Sequence, residues 1–326
     1  MITSTPNSDE DQFAMIWKEA NKRFDEYGND KKVGTNGFYA MKAHWSEHPE
    51  SDQVWADAEK ARIGEERFRR EHECEFLIYD ETLINSIHLA DMEGTTPVET
   101  TGQVRWFKRP TPGNTYLTSL DPAMGTGGDY AAIQVFELPS FEQVAEWHHN
   151  TTPMNHQVRI LQSINKHIHD TIMEKDTTAS PQIFYSMENN SIGEAALLRV
   201  MDIGEEHIPG MFLSEPIRKG HRRKFRRGFN TTAKHKIDAC TKFKELVEND
   251  KMKLNSQLLI SELKDFVASG MSFKAKPGQH DDLVSSCLLM TRMMKVLADF
   301  DPKIFEKWTD RQSELAPMPI FGSFSG

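Results

Sequence analysis

Apolar positions from about residue 115 onward follow two periods. Short apolar runs predict strands at 116–120, 131–136, 144–148, 182–187, 211–214 and 271–273. Apolar residues three or four positions apart predict helices at 157–172, 193–201, 232–247, 256–267 and 281–297. Three neighbouring strands followed by alternating helices and strands predict an α/β fold, in which helices cover a sheet.

The first 78 residues have a different pattern. Apolar spacing in 11–24 and 52–76 predicts helices. Gly, Thr and Pro are frequent from about 92 to 114, which indicates an interdomain linker. We therefore predict four segments: a mainly helical N-terminal domain over 1–78, a linker over 79–114, the α/β domain over 115–300 and a polar C-terminal tail over 301–326.

The overall composition is that of an ordinary globular protein, with 38% hydrophobic and 27% charged residues. No apolar run approaches the ~20 residues that a membrane span needs, so we expect no membrane partner. The N-terminus has no basic stretch followed by an apolar one, which argues against a secretory signal. The three cysteines, Cys74, Cys240 and Cys287, are far apart and fit a reducing cytoplasm rather than a disulfide framework.

One strongly basic segment contrasts with the net charge of −10. Residues 218–227 read RKGHRRKFRR, and so many like charges repel one another unless a polyanion is bound. A solvated charge run is the alternative. We predict that the segment contacts the phosphate backbone of a nucleic acid without reading its sequence. The residues concerned are Arg218, Lys219, Arg222, Arg223, Lys224, Arg226 and Arg227.

Acidic residues lie at the ends of predicted elements in the α/β region. Asp121 ends one strand before a Gly-rich turn, Glu188 ends another, and His280-Asp281-Asp282 opens the last helix. Ligands bind at the carboxyl ends of strands in open α/β sheets, and carboxylates that converge there need cations to neutralise them. Mg²⁺ or Mn²⁺ suits such oxygen ligands. Two such ions ~3.5–4 Å apart can activate water and stabilise the leaving oxygen when a phosphodiester is cleaved.

Each of these acids also has a structural explanation. Asp121 equally fits a turn residue, and Glu188 fits the start of the next helix. One of Asp281 and Asp282 can be a first-turn acid that the helix dipole favours. His280 fits a loop residue beside the site better than a metal ligand. Asp129, just before the second strand, is either a neighbour of the metal site or a strand-entry residue.

Three stretches in this order resemble the nuclease domain of the large terminase subunit of tailed bacteriophages, particularly the myovirus type. They read LDPAMGTGGDYAAIQVFEL, FYSMENNSIG and GQHDDLVSSCLLM, and the likeness covers roughly 101–298. The segment FNTTAKHKIDACTKFKELVENDKMKL also looks like the family's stretch between the second and third acids. The resemblance implies a ribonuclease H-like mixed sheet flanked by helices.

The resemblance also implies roles for the acids. Asp121, Glu188 and Asp281 are expected to be catalytic and to bind the metal, with Asp282 as a further metal-site acid. Related nucleases with a single His-Asp at this helix start favour Asp281 over Asp282. Asp129 is expected to be the accessory acid, and His280 lies beside the site.

As a family member the chain is expected to cut concatemeric viral DNA with two Mg²⁺ or Mn²⁺ ions. Its expected partners are double-stranded DNA, the portal protein and the small terminase subunit. The expected location is the host cell cytoplasm, outside the finished virion. Other ribonuclease H-like enzymes, such as junction resolvases and transposases, share the three acids, and a non-catalytic DNA-clamping module is the non-enzymatic alternative.

The N-terminus resembles another part of a terminase. Ser4-Thr5-Pro6-Asn7 is similar to the coupling motif that closes the family's ATPase core, with Ser4, Thr5 and Asn7 as the remnant, and RFRREHECEF resembles the end of the motor domain. The chain contains no GxxxxGK[ST] phosphate-binding sequence. We therefore expect the C-terminal part of a terminase, either truncated or from a split gene, that does not hydrolyse ATP alone.

Overall fold

The computed structural model describes residues 2–4, 12–21, 33–74, 81–190, 192–215, 227–270 and 272–300. The chain forms two compact units, Met1–Met92 and Glu93–Gly326. The boundary between the units falls inside the predicted linker, while the division into a motor remnant and a nuclease domain stays a prediction. The predicted tail lies outside the described residues.

The described part of the first unit is mainly helical. Its α-helices are α1 (Gln12–Asn21), α2 (Gln53–Ile63), α3 (Glu65–Glu71) and α4 (Ser86–Asp91). The Asp52 side chain caps α2 by accepting from the Trp55 N–H. Gly64, with φ of 86°, separates α2 from α3, so the helical pattern over 52–76 forms two helices instead of one.

Among the described residues of the second unit, seven strands form one mixed sheet in the order β1-β2-β5-β4-β3-β6-β7. Strands β1 to β5 pair antiparallel, whereas β6 and β7 run parallel to β3. The strands are β1 (Glu99–Thr101), β2 (Val104–Trp106), β3 (Thr115–Asp121), β4 (Ala131–Leu138), β5 (Glu142–His149), β6 (Gln182–Met187) and β7 (Met211–Phe212).

Helices cover both faces of this sheet. Alternation along β3 decides which face each residue serves: Thr118 donates to Asn165 of α5, while the next residue, Ser119, bonds Ser286 of α9. Asp121 is therefore on the α9 face. The helices are α5 (Met154–Lys175), α6 (Gly193–Ile203), α7 (Ala233–Glu248), α8 (Gln257–Asp265) and α9 (Asp282–Phe300). A separate hairpin joins β8 (Phe266–Ser269) to β9 (Ser272–Ala275).

The core under α5 and α6 explains why these elements form. Val158, Leu161, Ile164 and Ile168 recur on one side of α5 and pack in one buried cluster with residues of β3, β4, β5 and β6. Removing this apolar surface from water stabilises the fold by ~25 cal/mol per Å². None of the helices in the described ranges is long and apolar enough to cross a membrane.

Two predicted elements need correction. The stretch predicted as linker contains β1 and β2, and β2 pairs with β5 through Arg105 opposite Glu146. Trp106 of β2 is buried in the sheet's core, so this part belongs to the second unit. The helix predicted over 256–267 ends at Asp265, because Phe266 begins β8.

Candidate active site

Asp121 and Glu188 lie side by side at one edge of the sheet. Strands β3 and β6 are parallel, with Leu120 opposite Met187, so their carboxyl ends coincide. The Glu188 N–H donates to the Leu120 carbonyl at 3.1 Å, which fixes Glu188, the residue directly after β6, beside Asp121. Loss of solvent, together with the adjacent Glu188 carboxylate, raises the pKa of Asp121 well above its usual range.

The turn after Glu188 holds its carboxylate in place. The Asn190 Oδ1 accepts the Gly193 N–H at 2.7 Å, while its Nδ2 donates to Glu188 Oε2 at 3.2 Å. Gly193 starts α6 so close to this turn that an added Cβ would lie 1.9 Å from the Glu188 carbonyl oxygen. Only glycine lets α6 begin at this position, which explains the spacing between Glu188 and Gly193.

The start of α9 brings two more carboxylates to the same edge. The Asp281 carbonyl accepts the Ser285 N–H at 2.8 Å, so Asp281 directly precedes the helix and Asp282 opens it. One turn later Ser286 bonds Ser119 of β3, and this buried contact sets the helix start against the end of β3. The charges of Asp282 and Asp281 both contribute to the raised pKa of Asp121. The four carboxylates therefore interact.

Asp282 is the better enclosed of the two acids. Its Oδ2 accepts the Tyr130 N–H at 3.3 Å and lies 3.6 Å from His280 Nδ1. Burial, with a further contribution from Asp281, raises the pKa of Asp282 to about 6. Asp281 instead faces Lys236, whose Nζ is 3.7 Å from Asp281 Oδ2. The preference for Asp281 as the metal ligand stays a prediction.

The two accessory residues, Asp129 and His280, both act on Asp282. Asp129 is exposed in the Gly-rich turn, yet its charge still contributes to the raised pKa of Asp282. His280 meets the Tyr130 ring edge-on, with 4.8 Å between ring centroids. Tyr130 also stacks on His148 at 4.1 Å. The Gly-rich turn, the end of β5 and the start of α9 are thus joined by one aromatic cluster.

Glu262 and His148 form a buried support that sequence reasoning missed. The Glu262 Oε2 accepts the N–H groups of Leu283 and Val284, at 2.9 and 3.2 Å, in the first turn of α9. Burial raises the pKa of Glu262 to about 9, and burial lowers the pKa of His148 to about 4. The only available signal was an acid between apolar residues of a predicted helix.

Carboxylate chemistry decides whether this edge fits a metal. Within the described ranges, no three His, Cys, Asp or Glu side chains are already arranged around a single ion position. Asp121 instead lies beside Glu188 with a raised pKa, which favours its uncharged form, and Asp281 faces Lys236. Both contacts reduce repulsion between carboxylates, which is also what a cation does. A set of carboxylate oxygens at the end of two parallel strands suits Mg²⁺ or Mn²⁺.

Most of the basic segment lies outside the described residues, since 216–226 are not described. Arg227 is described: it pairs with Glu205, and its guanidinium lies 5.3 Å from the centre of the Phe212 ring. The Asn189 Nδ2 donates to the Arg227 carbonyl at 2.7 Å. The C-terminal end of the basic segment is therefore attached beside Glu188.

The coupling-like residues fall in the other unit. Ser4 is exposed and lines an apolar cavity of about 510 Å³ together with residues of α1. Thr5 and Asn7 lie outside the described residues. The coupling role of these three residues stays a prediction.

A family model and several solved structures are similar to this chain. The model of the family "Terminase RNaseH-like domain" matches residues 118–293, more than half of the chain. The large terminase nuclease from thermophilic phage G20c, solved with bound magnesium, is similar at 16% identity and TM-score 0.48, over 65% of this chain and 97% of that one. The Thermus phage P74-26 large terminase nuclease domain is similar at 17% identity and TM-score 0.43, over 62% and 90%.

A third similar structure is the human cytomegalovirus terminase nuclease domain, soaked with Mn and bound to an inhibitor. It is 13% identical with TM-score 0.42, over 64% of this chain and 93% of that one. The predicted fold class, a ribonuclease H-like mixed sheet flanked by helices, is confirmed. The resemblance of the α/β region to terminase nuclease domains is confirmed by the family match: this chain belongs to the family of terminase RNaseH-like domains.

Proposed function

We propose that this chain is a metal-dependent DNA endonuclease of a viral packaging terminase and that it cuts concatemeric DNA by phosphodiester hydrolysis. The observation that carries the proposal is the group of interacting carboxylates at the ends of β3 and β6 and the start of α9. Asp121, Glu188 and Asp281 are its catalytic residues, and Asp282 is a further metal-site acid.

Two Mg²⁺ or Mn²⁺ ions held by these acids would supply an activated water and stabilise the leaving oxygen. The residues of this chain position the acids. Parallel pairing of β3 with β6 sets Asp121 beside Glu188, and the Tyr130 N–H orients Asp282. Asp129 and His280 adjust the charge around Asp282 as accessory residues.

The basic segment is proposed to hold double-stranded DNA by its phosphates. Attachment of Arg227 to Asn189 supports this, because it puts the end of the segment next to the reacting carboxylates. Portal protein and small terminase subunit, in the host cell cytoplasm, are the partners that the family resemblance suggests. Without a GxxxxGK[ST] sequence the chain is not expected to hydrolyse ATP.

Asp121→Asn tests the catalytic assignment. The substitution keeps the shape of the side chain and removes the charge that binds cations. Plasmid nicking with Mg²⁺ or Mn²⁺ should fall at least about 100-fold, while DNA binding in a gel-shift assay is retained. Asp170→Asn, an exposed change on α5, is the matched control and should cleave like the wild type.

A melting experiment separates metal binding from DNA binding. Cations that bind the folded state raise the melting temperature, and Mg²⁺ should do so more for the wild type than for Asp121→Asn. Full cleavage by Asp121→Asn would overturn the catalytic assignment. A wild type that binds DNA but cleaves with neither metal would instead be a DNA-clamping module.

A further inference from the structure

A cavity of about 230 Å³ lies beside Glu188, between α7 and α9. Lys236 and Ala239 of α7 line one side, and Leu288 and Arg292 of α9 line the other. The cavity therefore combines an apolar wall with two cationic side chains. It directly adjoins one of the carboxylates proposed to cut DNA.

Arg292 and Lys236 differ in how far their hydrogen-bond donors are already used within the protein. The Arg292 guanidinium pairs with Glu215 and donates to the Asn230 carbonyl and to Thr231 Oγ1, at 3.0 Å each. These bonds tie α9 to the residues on both sides of the basic segment. The donors of Arg292 are thus largely committed to structure.

Lys236 is placed differently. Its Nζ is 3.7 Å from Asp281 Oδ2, beyond ordinary hydrogen-bond distance, and 5.3 Å from the centre of the Phe266 ring. The side chain is only 25% exposed, so its charge acts in a partly desolvated space. An ammonium with three donors in this position suits an anionic oxygen.

The residues around the cavity indicate which anion would bind to Lys236. Glu188 and Arg292 both line the cavity. Arg292 in turn bonds Glu215 and Asn230, and the basic segment lies between these two residues in the sequence. Because Glu188 lines the cavity, a DNA strand bound at the catalytic edge would lie next to it. A phosphate would contact the Lys236 ammonium, and the less polar deoxyribose attached to it would pack against the apolar wall of the cavity.

We propose that this cavity holds a sugar–phosphate next to the bond that is cut, with Lys236 contacting its phosphate. The proposal rests on the proposed function, because it takes DNA as the substrate. A metal ion bound by Asp281 would take over the neutralisation of that carboxylate, which leaves the Lys236 ammonium to the phosphate. The competing explanation is that Lys236 serves only as the counter-ion of Asp281.

The salt dependence of DNA binding distinguishes the two roles. Each phosphate contact contributes about −0.9 to the slope of log K against log salt on duplex DNA. An Asp121→Asn background allows DNA binding without cutting, and Mg²⁺ is added until the melting temperature of this variant no longer rises. In this background Lys236→Ala should reduce the slope by about one contact and weaken binding by about tenfold. Lys242→Ala, an exposed change on the same helix, should alter neither.

Two further variants keep the test valid if Lys236→Ala does not fold, which a melting curve would show. Lys236→Arg should restore most of the slope because it keeps the charge, whereas Lys236→Gln should not. An unchanged slope for Lys236→Gln in the Asp121→Asn background would overturn the phosphate contact, even if Lys236→Gln in the otherwise wild-type protein alters the Mg²⁺ requirement for cleavage. In that case the wild type still cleaves and Asp121→Asn does not, so failure of this inference is distinguishable from failure of the proposed function.

Discussion

Replacing Glu262 by Gln is expected to stabilise the metal-free protein, and increasingly so as the pH rises. The Glu262 carboxyl is only 10% exposed, and burial raises its pKa to about 9. At neutral pH the folded state thus holds a protonated acid whose Oε2 accepts the N–H groups of Leu283 and Val284. A Gln side chain keeps this acceptor oxygen and places its NH₂ group toward His148.

The size of the effect follows from linkage. Between the ordinary Glu value of 4.5 and the folded value of about 9, the folded chain keeps a proton that the unfolded chain releases. The unfolding free energy of the wild type therefore falls by about 1.4 kcal/mol for each pH unit in this window. Glu262→Gln lacks this loss, which amounts to on the order of 3 kcal/mol by pH 7, or roughly 6–12 °C in melting temperature.

Urea denaturation in EDTA at pH 5 and at pH 8 measures this difference. The advantage of Glu262→Gln over the wild type should be small at pH 5 and large at pH 8. Glu174→Gln, an exposed change on α5, removes a carboxylate that solvent already surrounds and should show no such trend. An advantage that is equal at both pH values would refute the reasoning, since Glu262 would then not be kept protonated by folding.

Three other substitutions test the site and the contacts that hold it. Asp281→Asn should reduce plasmid nicking by at least about 100-fold, whereas Asp282→Asn, which keeps an acceptor for the Tyr130 N–H, should mainly raise the Mg²⁺ requirement by about 10–100-fold. If Asp281→Asn and Asp282→Asn lose the same fraction of cleavage throughout a Mg²⁺ titration, the prediction is wrong. Gly193→Ala should cost about 3 kcal/mol in urea denaturation and also lower cleavage, because its Cβ would meet the Glu188 carbonyl oxygen at 1.9 Å. Gly128→Ala, where an added Cβ meets open space, is its stability control, and an equal cost in both would argue against the close contact.

How far the sequence predicts the fold depends on the length of each element. The long α5 and the buried strand β6 have many periodic positions, and their predicted positions agree with the structure. Strands β1 and β2 have three residues each, too few for a period to be visible. Pairing with β5 is what makes β2 a strand, and that contact spans about 40 residues of sequence.

The residues of the candidate site also differ in whether the local sequence predicts them. Asp121 and Glu188 were found because each ends a strand, which is a local signal. Glu262 and Lys236 were missed because their roles depend on contacts with α9 and with Asp281, which one sequence does not specify. Acids at the ends of elements are thus predictable, whereas the side chains that hold or neutralise them are not.

This division has a physical basis in how the site is held together. Carboxylates brought to one edge repel one another, so they cannot be what assembles the edge. Buried polar contacts do this instead: Ser119 with Ser286 fixes α9 on β3, and Asn190 with Gly193 closes the turn after Glu188. Neutralising one of the acids that we propose as catalytic should therefore reduce activity without reducing stability, while a change in the supporting contacts should reduce both. In the proposed function, relief of this repulsion would contribute to the free energy with which a divalent cation binds at this edge.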